Sequence, residues 1–362
     1  MKFFLIPAVA LAALIVSTPA PATPIFNLTY LSGTSAQAQT AFAQAASYWA
    51  SAFTDDVTID LTVGTGALGS GILASASSAE TPYTYSAFRA AMAADQTSAN
   101  DAAAVSHLVN ASSVNIYMNY TSDNPNGVGS ATPYVDTSGA NNSTVLMTNA
   151  NAKALGLTPT AQTLLGCGGN CDGFIEFSNA FTYDYDRSNG ILAGAYDFVG
   201  LAMHEVGHAL GFISGVDVLD TNSTSPNFFL ADQFTYVSPL DMFRCSAASA
   251  AAGTMLDFTA GTAAKSFSFD NCATTLGLFS TGSVHGDGRQ ASHWKDNLGL
   301  GIMDPTAAPG ELLNVTPLDL IAFDAIGWNL AVPEPTSMML LGAGLAGIGL
   351  ARRKRVRPAQ TF

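Results

Sequence analysis

The chain has 362 residues, 48% of them hydrophobic and only 11% charged. That much apolar side chain excludes a disordered polar chain, and the low charge means that Ser, Thr, Asn and Gln must supply the polar surface. With 27 acidic against 13 basic residues the formal net charge is -14, which argues against a nucleic-acid partner because phosphate binding needs basic patches.

Residues 1–22 read as a secretory signal. Lys2 is the positive start, Phe3 to Val16 is apolar, and Ala20-Pro-Ala22 supplies the small-residue cleavage pattern. The apolar stretch is shorter than the ~20 residues that span a bilayer. Phe26 to Leu31 is β-rich and predicts a strand. Ser35 to Phe53 is Ala-rich, with Phe42, Ala46, Trp49 and Phe53 on one helical face. Val57 to Val63 alternates strictly and predicts a strand. Helices are expected over 85–94 and 100–109, strands over 114–118 and 144–147, and a short helix over 150–155. Phe174 to Phe181 alternates again, with Ile175, Phe177 and Phe181 on one face and Glu176 and Ser178 on the other. This predicts a half-buried strand suited to a sheet edge. Asp184-Tyr-Asp186 is faintly similar to the start of a calcium loop, but Asn189 stands where that loop needs Gly. Ser188-Asn-Gly190 closes the loop, and Asp197 can cap a helix running to about Leu210.

The segment 215–290 is rich in Ser, Gly, Ala and Asp, with short β-like pieces such as Ser266 to Phe269, and Pro317 to Ile326 predicts a last helix. Four cysteines suit an oxidising compartment. Cys167 and Cys171 are close enough for a small loop and Cys245 and Cys272 flank an excursion, but all three pairings stay open. A cysteine zinc site fails on spacing, since Cys-x3-Cys has no matching second pair. The expectation is one α+β domain over 23–332 with an irregular C-terminal half.

The strongest chemical signal is His204-Glu205-Val-Gly-His208. Two His at i and i+4 on a helix face one way and reach one metal ion. Glu205 sits about 100° round the helix, in position to polarise a water on that metal rather than to ligate it. Five His and five Glu in the chain would produce this pattern by chance about 0.001 times. Two imidazoles plus one further ligand suit Zn2+ and leave a fourth position open. The compact metzincin pattern would place the third His at position 214, which is Ser214 here, so the ligand must lie farther along. His293, His285, Asp217 and Asp241 are candidates.

His204-Glu-Val-Gly-His-Ala-Leu-Gly-Phe212, then Ser292-His-Trp-Lys295, Ile302-Met-Asp-Pro305 and Leu320-Ile-Ala-Phe-Asp-Ala-Ile-Gly-Trp328 resemble leishmanolysin-type metzincins over about 197–328, with 215–290 unmatched. The resemblance implies a zincin fold with a mixed sheet and an active-site helix. It implies a zinc endopeptidase with His204, His208 and His293 as ligands, Glu205 as general base, and Met303 in a Met-turn beneath the metal. It also implies that the edge strand, expected at Phe174–Phe181, pairs with an extended protein or peptide substrate. No Cys precedes Cys167, so a cysteine-switch propeptide of the family kind is not expected.

At the C-terminus, Pro333-Glu-Pro335, an apolar stretch over Ser337 to Ala351 and a basic run from Arg352 to Arg357 follow one another. The order resembles a PEP-CTERM sorting signal over 333–362. It implies transient inner-membrane anchoring, cleavage by an exosortase-type enzyme, and delivery to the envelope or the exterior. Without both ends the chain carries 7 basic and 26 acidic residues. The expected function is an exported endopeptidase that hydrolyses peptide bonds through a water activated on zinc. The alternatives are a surface or matrix binding protein with a structural metal, or a zinc hydrolase of a non-peptide amide.

Overall fold

In the computed structural model, residues 22–331 are described. The expected signal segment, but for Ala22, and the sorting segment 333–362 lie outside the described residues. Ile25–Tyr30 and Thr58–Gly66 pair in parallel, from Ile25 opposite Thr58 to Tyr30 opposite Val63. The helix Ala36–Ala52 connects them, its first turn capped by the Ser35 side chain, which accepts from the Ala38 amide. Ala38, Ala41, Phe42, Ala45 and Trp49 are buried, so the apolar face read from the sequence is the one that packs. Thr58–Gly66 pairs on its other side, also in parallel, with Gly173–Ser178. Gly173–Ser178 in turn pairs antiparallel with Ala74–Ser78.

One expectation is corrected here. The Phe174 strand is not an edge; it has a neighbour on each side, and the edges of this four-stranded sheet are Ile25–Tyr30 and, beside the Phe174 strand, Ala74–Ser78. Alternation reports which faces are buried, and says nothing about hydrogen-bonding neighbours on either side. Ile175 and Phe177 are fully buried as expected, while Phe181 lies beyond the end of the strand.

The helix Phe198–Ala209 lies against this sheet and against Ala36–Ala52. Phe42 meets Phe198 and Phe177 edge-on at 5.0 and 5.2 Å, and Trp49 donates its indole N–H to the Met203 carbonyl at 3.0 Å. Every residue of Phe198–Ala209 except His208 is buried. Asp197 caps it by accepting from the Gly200 amide at 2.9 Å and pairs with Arg187 at 3.1 Å. Gly211, at φ +115°, ends it in a conformation open to Gly.

The second half is irregular, as expected. It holds the short helix Val216–Asn222, a small antiparallel sheet of Arg244–Cys245, Lys265–Phe267 and Gly277–Phe279, and the last helix Pro317–Ala325. The cysteines pair as Cys167–Cys171 and Cys245–Cys272. Both halves share one apolar core that runs from Ala38 to Trp328. The described residues form a mixed α+β fold, and none of their helices is long and apolar enough to cross a membrane.

Candidate metal centre

His204 and His208 project from one face of Phe198–Ala209, and His293 approaches from the loop after Gly277–Phe279. Their Nε2 atoms stand 3.1 Å (His204–His208), 3.2 Å (His208–His293) and 3.3 Å (His204–His293) apart. Each Nδ1 faces a backbone carbonyl: Ile302 at 2.7 Å, Phe212 at 2.7 Å and Gln290 at 3.3 Å, respectively for His204, His208 and His293. Those carbonyls accept the Nδ1 protons, so the three Nε2 atoms carry bare lone pairs. Burial drives His204 down to about 4, His208 to about 3 and His293 well below its ordinary value, so all three rings are neutral. Three neutral acceptors aimed at one another cannot bond mutually, and a cation between them would satisfy all three lone pairs. Two nitrogens on one tetrahedral zinc ion stand about 3.3 Å apart. The set therefore fits zinc, and among the described residues it is the one His/Cys/Asp/Glu cluster with metal-ligand spacing.

The other ligand candidates are engaged elsewhere. His285 stacks on Tyr120 at 4.1 Å with its Nε2 on the Ser223 carbonyl. Asp241 accepts from Ser214 Oγ at 2.6 Å, the Gly215 amide at 2.9 Å and the Ser238 amide at 2.9 Å. Position 214 thus anchors the chain as it leaves the helix. Asp217 accepts from the amides of Ala291 and Ser292, the two residues before His293. It fixes the ligand loop without touching the lone-pair cluster. Asp184 accepts from the amides of Asp186 and Leu192, which ties its carboxylate into its own loop.

Glu205 is buried beside the His cluster, and burial alone raises its carboxyl to about 8. It opens onto the same cleft as the three His, a cavity of about 940 Å³. Met303 lies under the helix: a Cβ at Gly207 would come 2.6 Å from its Sδ, so only Gly lets the methionine pack there. The Trp294 amide donates to the Met303 carbonyl at 2.9 Å, which couples the third His to the methionine turn.

Three positioning residues had no sequence signal for this role. Asp319 accepts from the Ile302 amide at 2.9 Å, the Trp294 indole N–H at 2.8 Å and the Thr316 amide at 2.7 Å. Its capping box with Thr316 is readable as Thr-x-x-Asp, but its reach to Ile302 and Trp294 is not. Arg244, fully buried, donates to the Ala291 and Ser280 carbonyls and lies over Phe279. Asp217, considered above as a ligand, is the third. Trp294 and Trp328 are core residues; the Trp328 indole donates to the Leu210 carbonyl at 2.8 Å.

Set against known proteins, residues 331–355 match the PEP-CTERM protein-sorting motif. The chain is therefore an exported protein, recognised by an exosortase-type enzyme, processed at its C-terminus and sent to the cell envelope or the exterior. Comparison with curated proteins and with solved structures returns no match.

Proposed function

We propose that this exported protein is a zinc-dependent endopeptidase with a leishmanolysin-like metzincin site. The observation that carries the proposal is the convergence of three imidazole Nε2 atoms, 3.1–3.3 Å apart, beside a buried carboxylate in an open cleft. Three protein donors rather than four mark a catalytic site over a structural one. His204, His208 and His293 would hold zinc, and Met303 would form the turn beneath it. When bound, zinc supplies Lewis acidity that polarises a carbonyl and acidifies water.

The rest of the chemistry falls to the chain. Glu205 accepts a proton from the attacking water and passes it to the leaving amine. Burial raises its carboxyl, so it readily holds the proton that it then delivers to the leaving amine. The free edge of Ala74–Ser78 borders the cleft, so an extended peptide can add to the sheet there and lie across the three His. Its small side chains leave room for the substrate's own. Before processing, the apolar stretch over Ser337 to Ala351 would hold the protein at the inner membrane.

The test is turnover of casein by the purified protein, abolished by a chelator and restored by zinc. Glu205→Ala should keep its zinc and lose on the order of 10²–10⁴ in rate. Near-normal turnover in that variant would overturn the mechanism.

A further inference from the structure

We infer that Glu80 selects substrates carrying a lysine or arginine side chain near the scissile bond. This rests on the peptidase reading and deepens it. Glu80 and Leu146 line the same cleft as His204, His208 and His293. In the antiparallel pair Glu80–Thr84 with Thr144–Thr148, Glu80 lies opposite Thr148 and Pro82 opposite Leu146. The period of two therefore puts Glu80 and Leu146 on one face, turned away from buried Thr81 and Met147. Glu80 is half-buried, and it opens the next strand two residues beyond the edge strand proposed to hold the peptide.

Charge accounting singles this carboxylate out. The other acids of the cleft are committed: Glu205 to proton transfer, Asp217 to the Ala291 and Ser292 amides, and Asp304 to the Thr306 and Asn297 amides. Arg289 is paired with Asp296 at 3.0 Å. Glu80's carboxylate takes no hydrogen bond or ion pair among the described residues; burial alone raises its pKa. Nor does the described chain hold a cation in reserve. Lys153, Lys265, Lys295 and Arg187 are each paired with an aspartate, while Arg244 and Arg89 donate to backbone carbonyls. A partly desolvated carboxylate without a partner is costly, and a cation brought by the ligand removes that cost. The acidic exported domain also steers cationic peptides toward the cleft.

The test uses purified, zinc-loaded protein in two arms. In the first, a random peptide library is digested and the cleavage sites are read. We expect Lys and Arg enriched at one fixed position. In Glu80→Gln the kcat/KM ratio of a Lys peptide to its norleucine analogue should fall about tenfold or more. Glu80→Lys should shift the preference toward Asp and Glu, which also shows that the variant is folded. Cleavage with no basic preference, or a preference that survives Glu80→Gln, overturns the inference and leaves the peptidase reading standing. The second arm measures binding of a fluorescent Lys peptide and its norleucine analogue, with no turnover needed. If nothing is cleaved but the Lys peptide binds more tightly in a Glu80-dependent way, the peptidase reading falls and the Glu80 site stands. Equal binding of the two peptides sinks the Glu80 site.

Discussion

Asp319 offers the sharpest test of how the site is held. Its carboxylate takes the amides of Ile302 and Thr316 and the indole N–H of Trp294 at 2.7–2.9 Å, with a longer contact to the Met303 amide at 3.4 Å. Asp319→Ala would orphan three buried donors at ~1–3 kcal/mol each. The N-cap of Pro317–Ala325, Thr316 Oγ accepting from the Asp319 amide, survives the change and adds nothing to the loss. Water entering the space would recover part of this, so the expected loss is about 3–5 kcal/mol, a large share of the ~5–15 kcal/mol that folds a domain. The same change frees Ile302, whose carbonyl fixes His204 Nδ1, and frees the Trp294 end of the His293 loop. Zinc affinity should therefore fall about 10–100-fold, as when any group orienting a metal ligand is lost. Asp319→Asn keeps the volume and one acceptor oxygen, and should lie between the two. Urea unfolding in chelator reads the stability, and competition with a chromophoric zinc chelator reads the affinity. An alanine variant within about 1 kcal/mol of the parent with unchanged zinc affinity would refute the reasoning.

Other expected outcomes test other links. His293→Ala should purify largely free of metal and inactive, whereas His285→Ala, which removes a ring stacked on Tyr120 and bonded to the Ser223 carbonyl, should keep stoichiometric zinc and most activity; metal analysis of both checks the ligand set. Asp55 is buried against Asn329, and burial raises it to about 7, so it takes up a proton on folding. The stability it contributes is complete below about 3.8 and declines as pH rises through about 7; Asp55→Asn should flatten the fall in urea midpoint between pH 5 and 8. Replacing Pro333-Glu334-Pro335 by three alanines should abolish C-terminal processing and leave the longer chain in the membrane fraction, read by immunoblot; release of normally processed protein would count against the role of the motif.

What the sequence made legible was local. The i, i+4 spacing of His204 and His208 is enough to place two imidazoles on one helical face, and the structure puts both on that face. The amphipathic helix over 36–52 and the alternating strand over 58–66 follow equally from short-range periodicity. The third His was a matter of order along the chain: the residues left four candidates, the resemblance in motif order implied His293, and the Trp294–Met303 backbone bond ties that His to the methionine ten residues on. Ala74-Ser-Ala-Ser-Ser78 carries no β-branched or aromatic residue, so nothing local marks it as a strand. It is a strand because Gly173–Ser178 offers it a row of backbone partners. The alternation of Phe174–Ser178 was legible, yet a sheet edge is defined by the strand that is missing beside it, which no single segment encodes. The residues that decide how a substrate would lie are of this second kind. The edge strand, Asp217, Arg244, Asp319 and Glu80 acquire their roles from chain brought in from tens to hundreds of residues away. The candidate metal pair His204 and His208 can therefore be read from one helix, while the third His and the shape of the cleft must be read from the assembled fold.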